Sequence, residues 1–63
     1  MMNRVKELRM EKGATANQLG TLIGVSTGTY WKKEAGVLRF SLVDAKVLAD
    51  FYGESIESIF FAE

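Results

Sequence analysis

The chain has 63 residues, with neither cysteine nor histidine and a formal net charge of zero. A domain of this size buries only about 60% of the surface its unfolded chain exposes, which leaves little room for a deep catalytic pocket. The two missing residue types exclude disulfides, thiolate metal sites and imidazole catalysis, and no apolar run approaches the roughly 20 residues that span a bilayer.

Caps and glycines mark the elements. Asn3 is suited to cap a first helix at about 4–12, with Val5 and Leu8 on one face and Gly13 at its left-handed end. Thr15 followed by Gln18 reads as a capping box, and Leu19 and Ile23 share a face before Gly24, which predicts a second helix at 16–23. Ser26 opens a third at 27–35, closed by Gly36. Ser41 with Asp44 is another capping box, and Leu42, Ala45, Leu48, Ala49 and Tyr52 recur at three and four residues as the core side of a fourth helix ending at Gly53. Ser55 caps a short fifth helix carrying Ile56, Ile59 and Phe60. No segment alternates like a strand, so the expected class is all-α, a compact five-helix domain spanning 1–63.

Zero net charge hides an asymmetry. Through Arg39 there are seven basic residues against three acidic, and from Phe40 onward Lys46 stands against five acidic residues. Such a distribution can orient a protein toward phosphate at one end even without a net charge. The alternative is two solvated faces with no partner.

Two short helices joined by a tight turn containing glycine have helix-turn-helix geometry, here at about 15–35. The runs VKELRMEKGATANQLGTLIGVSTGTYWKKEAG and FSLVDAKVLADFYGESIESIF resemble the Cro/CI-type (XRE family) helix-turn-helix domain nearly end to end. The most specific parts are Leu-Arg followed by Gly13 and Thr15, the turn Gly24 to Ser26, Glu34 two residues before Gly36, and the frame of Ser41, Ala45, Gly53 and Ser55. The resemblance implies a λ-repressor-like five-helix domain that binds operator DNA as a homodimer in the cytoplasm, a phage-type repressor or Cro-like regulator with no catalytic residues. No cofactor, metal, membrane or small-molecule ligand is expected.

It also implies that Thr27, Gly28 and Lys32 meet base edges, with Thr29 and Trp31 near the backbone. Thr27 can exchange hydrogen bonds with a base edge, and Lys32 can donate to guanine or phosphate. Gly28 brings no side chain. Asn17 and the amides opening the second helix suit a phosphate, and Arg39 can supply another phosphate contact. Two residues depart from the family pattern: Ala16 replaces the usual phosphate-clamping glutamine, and Lys33 replaces a large apolar residue, which loosens the packing of the third helix unless the Lys stem lies along the core and its amine reaches solvent. Arg9 and Glu34 correspond to a structural ion pair, whereas Asp44 and Glu57 read as part of a solvated face or as helix-start charges.

Val43, Val47 and Phe51 form a second apolar stripe, and Trp31, Leu22, Val37 and Phe61 are also in excess of a small core. Val43, Val47, Phe51 and Phe61 are therefore assigned to a homodimer interface, the alternative being that Phe51 and Phe61 widen the core. Trp31 can pack on the first helix, lie against sugar and phosphate, or touch a partner. A competing function is an interaction module of the same fold, an antirepressor or adaptor with weak or no DNA binding.

Overall fold

The computed structural model describes residues 4–61, and among them the fold is entirely helical: α1 (Val5–Lys12), α2 (Ala16–Ile23), α3 (Thr27–Glu34), α4 (Leu42–Tyr52) and α5 (Ile56–Phe60). The helices are short, so each depends on its ends and on packing rather than on intrinsic propensity. Thr15 and Ser41 close reciprocal capping boxes with Gln18 and Asp44, and Ser26 and Ser55 cap α3 and α5. Gly13, Gly24 and Gly53 end α1, α2 and α4 in the left-handed conformation. Asn3 lies outside the described residues. Arg4 holds the N-cap position of α1 without a side-chain cap, and its backbone N–H donates to the Ile59 carbonyl at 2.7 Å, joining α1 to α5.

The core is built on Val5, Leu8, Leu19, Tyr30, Leu48 and Ile59, all fully buried, with Ala16, Ala49 and Tyr52 around them. An edge-to-face series, Tyr30 to Phe40 at 6.3 Å and Phe40 to Phe60 at 5.5 Å, connects α3 through the following loop to α5.

Two sequence expectations about α4 are corrected. Leu42 is 77% exposed rather than core, while Asp44 is buried. At about 100° per residue, the face centred on Ala45, Leu48 and Tyr52 puts Leu42 at one rim and Asp44 at the other. Leu42 is also the first helical residue, so no preceding turn covers it. Asp44 is therefore neither solvated nor simply a dipole charge: it accepts from the Ser41 N–H at 3.0 Å and from Lys33 Nζ at 2.7 Å. Ala35, expected inside α3, is instead its C-cap.

Candidate nucleic-acid interface

The α2–turn–α3 unit is held by one close approach. A Cβ built on Gly20 meets the Val25 carbonyl oxygen at 2.8 Å, so only glycine lets α2 come this near the turn leading into α3. The Val25 N–H donates to the Gly20 carbonyl at 2.8 Å, which fixes the turn. Gly20 does not stand out among the cap and core positions of the sequence, but a glycine inside a predicted helix, costing about 1 kcal/mol relative to alanine, is itself a sign of close packing.

Tyr30 anchors α3 from inside. It is fully buried, and its hydroxyl donates to Glu34 Oε2 at 2.7 Å. Glu34 in turn receives Arg9 Nε at 2.9 Å and Nη2 at 3.1 Å, a bidentate pair joining α1 to the last turn of α3. The hydrogen bond and charge of Glu34 push the Arg9 guanidinium above its ordinary range. Burial, with the bond to Glu34, pushes the Tyr30 phenol well up, so it is a neutral donor at physiological pH. On the other side, Lys33 Nζ donates to Asp44 and to the Arg39 carbonyl at 3.2 Å. The Lys33 amine thus ends in an ion pair with α4 rather than in solvent, and it holds the loop that carries Arg39.

With that much of α3 committed inward, Thr27, Gly28, Trp31, Lys32 and Ala35 fall at one helical face. Gly28, Trp31, Lys32 and Ala35 are exposed and Thr27 half-buried. Gly28 is helical with open space where a Cβ would stand. Thr29 is turned aside: its hydroxyl accepts from Ser26 Oγ at 3.0 Å and its N–H donates to the same oxygen at 3.1 Å. Trp31 is 45% exposed and packs on α1, with the Arg9 Cζ 4.8 Å from its ring centroid. Asn17 is exposed in the first turn of α2, and Arg39 is exposed beyond α3.

Of the residues assigned to an interface, Phe51 lines the cleft that also holds Asn17. Val43 and Phe61 are exposed, Val47 is half-buried, and Phe51 is partly exposed beside Leu22 in a cleft between α2 and α4. Among the described residues no cluster of acidic side chains could hold a metal ion, and no helix is long and apolar enough to cross a membrane.

A family profile described as "Helix-turn-helix domain" matches residues 3–58. No curated protein matches the sequence significantly. Since the matched region takes in α1 to α4, the glycine-locked turn and the exposed face of α3, the chain belongs to the helix-turn-helix domain family of DNA-binding modules.

Proposed function

We propose that the domain is a sequence-specific transcriptional regulator of the Cro/CI (XRE) type, a repressor that acts in the cytoplasm and reads operator DNA with α3 in the major groove. The observation that carries this reading is the single exposed face of α3, presented by a turn that Gly20 holds tightly. On that face Thr27 and Lys32 read base edges, and Gly28 lets the backbone come close. Asn17, Trp31 and Arg39 contact the strands on either side, and Thr29 supports the start of the helix. The domain works as a homodimer paired through Val43, Val47, Phe51 and Phe61, which sets two copies of α3 about one DNA turn apart. Selection from a random duplex pool tests the proposal. Recovery of a palindrome with half-sites about 10 base pairs apart supports it, and equal affinity for selected and scrambled duplexes overturns it.

A second reading, a protein-interaction module of the same fold, is favoured by one contrast. Lys32 is the sole charged residue among the five on the α3 face, whereas Val37, Leu42 and Val43 are each more than 70% exposed. Failure of the selection, together with a loss of partner binding in Val43→Asp, would favour that reading.

A further inference from the structure

Beside the α3 face lies a cleft of about 370 Å³ between α1 and the C-terminal half of α3, lined by Lys6, Arg9, Trp31, Glu34 and Ala35. Its charges are not equivalent. Arg9 is neutralised by its bidentate bond to Glu34, whereas exposed Lys6 has no ion pair among the described residues. Arg9 also lies over the indole of Trp31, and Tyr30 meets the same ring edge-on at 6.0 Å, so the ring is held while still 45% exposed. The indole N–H has no hydrogen-bond partner among the described residues. An unmatched cation, a free N–H donor and a fixed aromatic plane, all on the flank of a groove-reading helix, suit a single sugar-phosphate unit.

We infer that this cleft is a second DNA contact, taking one backbone phosphate on Lys6 with the adjoining sugar against Trp31, while Arg9 positions the indole. The inference rests on the DNA-binding reading above and extends its surface from α3 onto α1. Lys6 contributes affinity without base preference, because phosphates carry no direct sequence information.

Trp31 is the chain's single tryptophan, so tryptophan emission reports on this one ring, which borders both the cleft and the α3 face, and the Lys6→Ala arm separates the two. The test titrates the domain with a duplex of random sequence at several salt concentrations, following both Trp31 emission and the anisotropy of labelled DNA. Lys6→Ala is compared with Lys46→Ala, which removes an exposed cation on α4, and inorganic phosphate is titrated separately. The expected result is that duplex shifts the emission and Lys6→Ala weakens binding roughly fivefold, lowering the salt slope by about one, whereas Lys46→Ala and phosphate alone do neither. Duplex binding by the unaltered domain with unchanged emission, or with Lys6→Ala within twofold of it, overturns the cleft contact and leaves the DNA reading standing. An emission shift from phosphate without one from duplex overturns the contact by assigning the cleft to a free anion. No duplex binding by the unaltered domain overturns both readings.

Discussion

Lys33 Nζ lies 2.7 Å from Asp44 Oδ2, and the same carboxylate oxygen accepts the Ser41 N–H that opens α4. One buried acid therefore starts a helix and ties it to its neighbour. Both side chains are nearly excluded from solvent, at 13% and 10% exposure, so removing either one strands the other's charge. Asp44→Ala is expected to destabilise the domain by about 3 kcal/mol and Lys33→Ala by about 2 kcal/mol. The double variant should lose less than the two separate losses combined. Urea unfolding of the three variants measures this, and simple additivity would show that the pair is not coupled.

The same pair sets the behaviour in acid. Burial on its own pushes the Asp44 carboxyl up, but the Lys33 and Ser41 hydrogen bonds outweigh it and hold the group below its ordinary value of 3.8. The folded state then binds this proton less readily than the unfolded state. The resulting stability is present above about pH 4 and is lost as pH falls through the folded value. Asp44→Asn should flatten the acid limb of a stability-versus-pH curve.

Tyr52 predicts the alkaline limb. Its hydroxyl is buried with no hydrogen-bond partner among the described residues, and burial followed by the charge of Glu34 pushes the phenol up to about 12. Because the raised group keeps its proton longer in the folded state, its contribution is complete below pH 10 and is lost as pH rises to about 12. Tyr52→Phe removes an unpaired polar atom and should raise stability by up to about 1 kcal/mol while weakening this loss. A drop in melting temperature for Tyr52→Phe would show that the hydroxyl is satisfied.

Gly20→Ala and Gly28→Ala are the same change with opposite expected signs. At Gly20 the new methyl meets backbone oxygen at 2.8 Å, and the turn must shift, at a cost of about 2 kcal/mol. At Gly28 nothing lies within 4 Å, and alanine should stabilise α3 by about 0.5–1 kcal/mol. Thermal unfolding separates the two, and a neutral Gly20→Ala would mean that α2 and the turn are free to separate.

For DNA, Lys32→Ala should relax base preference at one position of the selected site, by about 1–3 kcal/mol of discrimination. Arg39→Ala should weaken every duplex alike and lower the salt slope by about one. A loss of base preference in Arg39→Ala would reassign that residue to the groove.

The sequence was most legible where the backbone's own needs are local. Thr15 with Gln18, Ser41 with Asp44, and Gly24 and Gly53 each solve a helix-end problem within four residues, and the observed helix bounds follow them. Side-chain destinations were less legible because they depend on other helices. The spacing that made Leu42 a core residue is shared by both rims of the α4 face. The fate of the Lys33 amine was set by Asp44, eleven residues away. Gly20 reads as a mere weak point of α2 until the Val25 carbonyl is placed over it.

Gly28 has a consequence for how this surface can change. The position is helical, exposed and without neighbours, at the centre of the face proposed for base contact, while Tyr30, Lys33 and Glu34 hold the other side of the helix. A single codon change there can install arginine, glutamate or valine on that face without disturbing the interior. Under the proposed reading, the scaffold and the text it reads are thereby nearly separable, and a lineage or a laboratory library can move between target sites in one step while the fold stays the same.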